Sequence, residues 1–261
     1  MIGAVAGDII GSVYEHHPHK SEDFPLFHPR SHFTDDTVMS LAVARAILEE
    51  RDYGQEMQSF GRAYPLAGYG GNFRKWIFRD EIQPYNSWGN GSAMRVSPIG
   101  FSFNNKEDLL REAKASAVVS HNHPEGIKGA QAVALAVLLA RQGGSKELIR
   151  ERIAAEFSYD LDRTVDLIRP DYHFDISCQG SVPEAIIVFL ESSDYESAVR
   201  KAVSLGGDSD TLACIAGAIA EAYYQKIPGN IILETKERLP EILWKTLLRF
   251  EKKFPCCDLG L

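Results

Sequence analysis

A chain of 261 residues with 44% apolar side chains can bury one large hydrophobic core or two intimate ones, and is neither disordered nor of low complexity. Its 28 basic and 36 acidic side chains leave a net charge of −8, which argues against a broad nucleic-acid surface but not against a compact site for one small anion. Four cysteines, Cys178, Cys214, Cys256 and Cys257, have neither zinc-ligand spacing nor the density of a disulfide scaffold.

The first segment, Ile2 to Gly11, has Gly3, Gly7 and Gly11 four residues apart, so all three fall on one helix face. Each glycine costs a helix ~1 kcal/mol relative to alanine, so three together need a packing reason: a neighbouring backbone or ligand that comes very close. The segment is short and contains Asp8, which excludes a signal peptide or membrane anchor and points to a cytoplasmic protein. A connection rich in His, Pro and Phe runs from His16 to Phe33. Its histidines at 16, 17, 19, 28 and 32 are too irregularly spaced for a transition-metal site and read as a solvated loop.

After Asp36, Val38, Leu41, Ala44 and Leu48 make a loose helical stripe. A second long connection, from about Tyr69 to Pro98, mixes glycines with Tyr69, Trp76, Tyr85 and Trp88; such aromatics either anchor a loop to the core or stack on a planar ligand. Ile99 to Phe103 is the one short stretch with strand-like character. Helices are predicted near Glu107–Val119, Lys146–Glu156 and Tyr195–Leu205, and Ala130–Ala140, apolar all round, reads as a helix in the middle of a bundle. Leu212, Ile215, Ala216, Ile219, Ala220 and Tyr223 share one helix face, and Leu243, Leu247, Phe250 and Phe254 close the chain with another. The expectation is an all-α fold in a single domain spanning residues 1–261, with the oligomeric state left open.

Two acidic clusters stand where helices begin: Thr34-Asp35-Asp36-Thr37, and Asp208-Ser209-Asp210-Thr211 after Gly206-Gly207. Each alone reads as a helix cap, because Asp, Ser and Thr accept hydrogen bonds from free N–H groups at the positive helix end. A cap needs one oxygen, however, and each cluster offers two carboxylates and a hydroxyl. Hard oxygens without nearby sulfur suit Mg²⁺, Mn²⁺ or Ca²⁺. If the two helix starts meet, four carboxylates converge, and divalent ions would relieve their repulsion and activate a water.

These clusters belong to a longer set of motifs. Gly3-Ala4-Val5-Ala6-Gly7-Asp8-Ile9-Ile10-Gly11 with Glu15 comes first, followed by Phe33-Thr34-Asp35-Asp36-Thr37 and Gly89-Asn90-Gly91-Ser92-Ala93-Met94-Arg95. Ser120-His121-Asn122-His123-Pro124 and Gly206-Gly207-Asp208-Ser209-Asp210-Thr211 complete it. In content and order the set resembles the ADP-ribosylglycohydrolases, a family that includes the enzyme reactivating ADP-ribosylated dinitrogenase reductase and the ADP-ribosyl-acceptor hydrolases. The resemblance implies a compact multi-helix fold with a binuclear metal site. Two divalent cations, Mg²⁺ or Mn²⁺, are then expected on Thr34, Asp35, Asp36, Asp208, Asp210 and Thr211.

The resemblance also implies cleavage of the bond between ADP-ribose and a side-chain nitrogen or oxygen, on an ADP-ribosylated protein or a small-molecule conjugate. Glu15 and Asp35 are the candidate catalytic carboxylates, with the general base open between them. Asn90, Gly91, Ser92, Met94 and His121 are the expected substrate contacts, although Asn90–Gly91 alone reads as a turn and His121 alone as a core or helix-start residue. A catalytically silent ADP-ribose-binding or structural relative is the alternative; retention of four aspartates, both threonines and Glu15 argues against it. An all-α metal phosphohydrolase would carry His-Asp pairs, and neither cluster contains histidine. The motifs surround ribose and metal, so the linkage cleaved is left to the two long connections.

Overall fold

A computed structural model describes residues 1–257. Among these residues all regular structure is helical; no strand forms, and one isolated bridge joins Gly89 to Ser177. The first half comprises α1 (Ile2–Gly11), α2 (Asp35–Glu49), α3 (Tyr53–Ala63), α4 (Gly71–Ile77), α5 (Gly91–Met94), α6 (Ser97–Ser102), α7 (Lys106–Val118) and α8 (Pro124–Arg141). The second half adds α9 (Lys146–Phe157), α10 (Val165–Ile168), α11 (Cys178–Leu190), α12 (Tyr195–Leu205), α13 (Ser209–Tyr224), α14 (Gly229–Glu237) and α15 (Glu241–Lys253).

The helices α3, α4, α5, α6, α10, α11 and α14 are not among those expected from the apolar pattern. Ile99–Phe103, expected as the one strand-like stretch, is helical over most of its length, because Pro98 sits in the first turn of α6 with its fixed φ already suited to a helix. The connection from Tyr69 to Pro98 holds α4 and α5, and α4 buries Phe73, Trp76 and Ile77 at helical spacing. The connection from Ser12 to Thr34, in contrast, has no helix. It is fastened by Arg200, whose Nη1 donates to the carbonyls of Glu22 and Phe24, and by Lys20, whose Nζ donates to the Arg169 carbonyl at 2.7 Å.

The helix α13 lies at the centre, packed by α1, α8, α11 and α12. It is buried all round from Ser209 to Ala222, not along one face as its stripe of large side chains suggests. Its opposite face carries alanine and glycine, and there α1 docks almost backbone to backbone. A Cβ on Gly7 would lie 2.1 Å from the Ala213 carbonyl oxygen, and one on Gly11 would lie 2.5 Å from Asp210 Cα. This is the packing reason that the glycine spacing demands. The all-apolar segment in α8 is likewise central. No helix among the described residues is long and apolar enough to cross a membrane.

Candidate active site

The N-termini of α2 and α13 meet at the floor of a cleft of about 390 Å³, within the usual range for small-molecule sites. At α2, the hydroxyl of Thr34 does the capping, accepting from the Asp36 backbone N–H at 3.2 Å. That frees both aspartates for the cleft. At α13, Asp208 occupies the cap position but its side chain makes no cap bond; Oδ2 accepts instead from Asn90 Nδ2 at 2.7 Å. Gly206 and Gly207, at φ of 71° and 80°, turn the chain into this position, where a side chain on Gly207 would also strike the His173 carbonyl. Asp210 Oδ1 accepts from the Thr211 backbone N–H in the first turn of α13 at 3.0 Å, but Asp35, Asp36 and Asp208 are not consumed as caps.

The convergence is close. One oxygen each from Asp8, Asp36 and Asp210 lie within 4.8 Å of one another, and the same holds for Glu15, Asp208 and Asp210. Burial, reinforced by neighbouring carboxylates, pushes Asp35, Asp36 and Asp210 well above the ordinary aspartate value. Burial followed by the Asp208 charge also raises Glu15. Asp36 Oδ1 is buried with no hydrogen-bond partner among the described residues. An unpaired carboxylate oxygen amid other hard oxygens fits a divalent cation of the Mg²⁺ or Mn²⁺ kind, and nothing in the donor set favours a soft metal.

This electrostatic state has a measurable consequence. Folded-state values above the ordinary 3.8 mean that the protonated acids favour folding; that stability is complete below 3.8 and is lost as pH rises through the raised values. A cation that binds the ionised groups opposes the loss. The rise in Tm on adding Mg²⁺ to chelator-treated protein should therefore grow as pH rises above the ordinary aspartate value. A shift that stays constant as pH rises would show that the ion binds elsewhere.

Glu15, Asp35, Asp36, Asn90, Gly91, Met94, His121, Asp208, Asp210 and Thr211 all line the cleft. Two expected site residues do not. Thr34 lies behind Asp36, its hydroxyl donating to Asp8 Oδ1 at 2.7 Å, and Ser92 is fully buried with its hydroxyl donating to the Gly126 carbonyl at 2.7 Å. The Ser92 side chain thus ties α5 to α8, leaving Gly91 and its backbone to face the cavity.

The walls are aromatic. Phe73, Tyr85 and Phe174 line the cleft, while Trp76 is wholly buried against Phe73 and Trp88 lies outside. Of the histidines of the first long connection, His16 places Nε2 3.7 Å from the Glu15 carboxylate, and none supplies a ligand atom to the two carboxylate clusters among the described residues.

His121 is oriented from behind. Arg95 Nη2 donates to Ser120 Oγ at 3.0 Å, and that hydroxyl sits 2.8 Å from His121 Nδ1. Nε2 therefore faces Gly91, where a Cβ would come within 3.0 Å of it. Burial, and secondarily the Arg95 charge, hold the imidazole well below its ordinary value, so it is neutral at pH 7. Burial lowers Arg95 to about 10, which leaves it a cation.

Asp8, Phe73, Arg95 and Phe174 join the site without having been expected there as functional residues. Asp8 carries a signal in the sequence, as the single charge in an otherwise apolar glycine helix, and Arg95 closes the Gly89-to-Arg95 motif; the aromatic walls depend on how the long connections fold.

A model of the ADP-ribosylglycohydrolase family matches residues 1–254. The mouse protein named ADP-ribosylhydrolase ARH3 is 30% identical, over 88% of this chain and 84% of its own. Its human counterpart is also 30% identical, over 86% and 84%. A solved structure titled ADP-ribosylglycohydrolase-related protein complex superposes with a TM-score of 0.74 at 23% identity, covering 96% of this chain and 95% of that one.

Proposed function

Because the chain belongs to the ADP-ribosylglycohydrolase family, we propose that it is a metal-dependent hydrolase of the bond joining ADP-ribose to a protein side chain or small acceptor. The observation that carries this reading is the meeting of two aspartate-bearing helix N-termini at the floor of an aromatic-walled cleft. Residues 1–261 are read as one domain, a view supported by the continuous core shared from α1 to α15.

Asp35, Asp36, Asp208 and Asp210, with Thr211, would hold two divalent cations, Mg²⁺ or Mn²⁺, while Thr34, its hydroxyl engaged by Asp8 and the Asp36 N–H, would support Asp36 from behind. Bound there, the cations would balance the carboxylate charge and make a water or ribose hydroxyl more acidic. The protein's own groups supply the rest. Negative charge on Glu15 and Asp35 stabilises the positive charge that develops on the ribose as the glycosidic bond breaks. Either carboxylate, with its affinity for protons raised by burial, can accept the proton of the attacking water. Gly89 and Gly91 allow backbone N–H groups to approach a diphosphate, and Phe73 and Tyr85 offer faces to a planar base while excluding solvent. Arg95 places a permanent cation beneath this wall, 5.6 Å from the Phe73 ring.

Incubation of purified protein with arginine-, serine- and O-acetyl-linked ADP-ribose, with Mg²⁺ and then with chelator, tests the proposal. Release of ADP-ribose from at least one conjugate, abolished by chelator and restored by Mg²⁺ or Mn²⁺, is the expected outcome. Release that survives complete metal removal would refute metal dependence. Tight ADP-ribose binding without release from any conjugate would establish the silent alternative.

A further inference from the structure

We propose that Asp8 is a positioning residue that sets the distance between the two halves of the carboxylate centre by clasping the first turn of α2. The inference rests on the reading that these carboxylates bind divalent cations. The two halves stand on different helices, α2 and α13, and something must hold those helix ends in register against the repulsion of their own charges.

The geometry identifies that element as α1. Its glycine face is docked on α13 so tightly that a single methyl on Gly7 would enter the Ala213 carbonyl. Asp8, the next residue, is therefore fixed relative to Asp210. From this position its carboxylate accepts hydrogen bonds from four donors, all at the start of α2. They are Thr34 N–H at 3.0 Å, Thr34 Oγ1 at 2.7 Å, Thr37 N–H at 3.1 Å and Thr37 Oγ1. Asp8 thus connects the α13-docked helix to the turn that carries Asp35 and Asp36.

The division of labour among the acids follows from their partners. Asp8 and Asp36 both lie within one of the two carboxylate clusters, but both Asp8 oxygens are engaged by protein donors, whereas Asp36 Oδ1 is unpartnered among the described residues. Asp36 is left to a cation; Asp8 is committed to the start of α2. Another buried negative charge beside four repelling ones is costly, and an apolar side chain could fill its volume without that cost. Four charge-assisted hydrogen bonds to one helix start give the charge its purpose. An amide would be a poorer clasp: its NH₂ at the Oδ2 position would face the Thr34 and Thr37 backbone N–H groups, and with the NH₂ turned to the Thr34 hydroxyl instead the remaining bonds would lose their charge assistance.

The test is titration of the full-length protein with Mn²⁺ by calorimetry. Asp8→Asn should weaken Mn²⁺ binding about tenfold or more, the scale for groups that orient metal ligands, while the far-ultraviolet circular dichroism stays helical. Thr37→Val, which removes one donor to Asp8 and no expected ligand, should weaken binding several-fold, and Thr37→Ser should restore it. Dissociation constants within twofold of wild type for both Asp8→Asn and Thr37→Val, even with a lowered Tm, would reduce Asp8 to a purely structural role and overturn the proposal. If Asp8→Asn does not fold, the Thr37 pair decides by the same criterion. Absence of Mn²⁺ binding by the wild type would overturn the cation reading itself, and the positioning role with it.

Discussion

The Asp36→Asn variant is expected to lose about 100-fold or more of kcat/KM and, stripped of divalent cations, to melt at a higher temperature than wild type. The two effects share one cause. Asp36 is buried, repelled by Asp8, Asp35 and Asp208, and weakly served by long contacts of 3.4 Å from the Thr34 and Thr211 hydroxyls. Its Oδ1 has no partner among the described residues. An amide keeps the shape, removes the charge and can donate from that position toward a neighbouring carboxylate. Relief of even about 1–2 kcal/mol corresponds to a rise of roughly 2–8 °C for a chain of this size. The same change removes a charged oxygen from the proposed cation site, so the Mg²⁺-dependent rise in Tm should disappear. Thermal melts in chelator and in Mg²⁺, paired with ADP-ribose release assays, check both halves. A chelated variant less stable than chelated wild type, or one that keeps the Mg²⁺ shift, would remove Asp36 from the cation site.

Gly7→Val should be the most damaging single substitution in the fold. The added Cβ would stand 2.1 Å from the Ala213 carbonyl oxygen and 2.6 Å from its carbon, and the obstacle is backbone in the middle of the central helix. No rotamer change removes it, so α1 must lift from α13. Overpacking of flexible cores costs about 1–3 kcal/mol, and a clash with buried helix backbone belongs above that range. A loss of more than about 3 kcal/mol, or roughly 6–12 °C in Tm, is expected by urea or thermal unfolding. Because α1 also carries Asp8 and leads to Glu15, any soluble fraction should be poorly active. Gly229→Ala is the control: its Cβ meets nothing within 4 Å, it begins α14, and it should leave stability unchanged or slightly higher. Equal Tm values for Gly7→Val and Gly229→Ala would mean that the α1–α13 seam is not tight in solution.

Much of the site is legible in the order of residues alone. Runs such as Thr34-Asp35-Asp36-Thr37 and Asp208-Ser209-Asp210-Thr211 declare helix starts with more oxygen than capping needs, and that surplus is local chemistry. The glycines at 3, 7 and 11 announce a backbone-to-backbone contact for the same reason, since residues so unfavourable to a helix require compensation from packing. The helices α8 and α13 are visible in their apolar patterns. By contrast, α4 and α11 are not: α4 is short and begins among glycines, and α11 carries Pro183 within it, so local preference runs against helix and tertiary burial decides.

Sequence alone thus determines the all-α class, the two acidic helix starts and the glycine face of α1, because each depends on residues within a few positions of one another. It does not decide which helix that glycine face meets, since any small-residue groove would satisfy it. Nor does it separate Asp8, whose oxygens are held by α2, from Asp36, whose Oδ1 stays unpartnered, or turn Ser92 toward α8 and His121 Nε2 toward Gly91. Those distinctions depend on partners 26 to 175 residues away. Contacts at such separation are set by how helices pack, and only the packed chain brings four aspartates and Glu15 to one cleft.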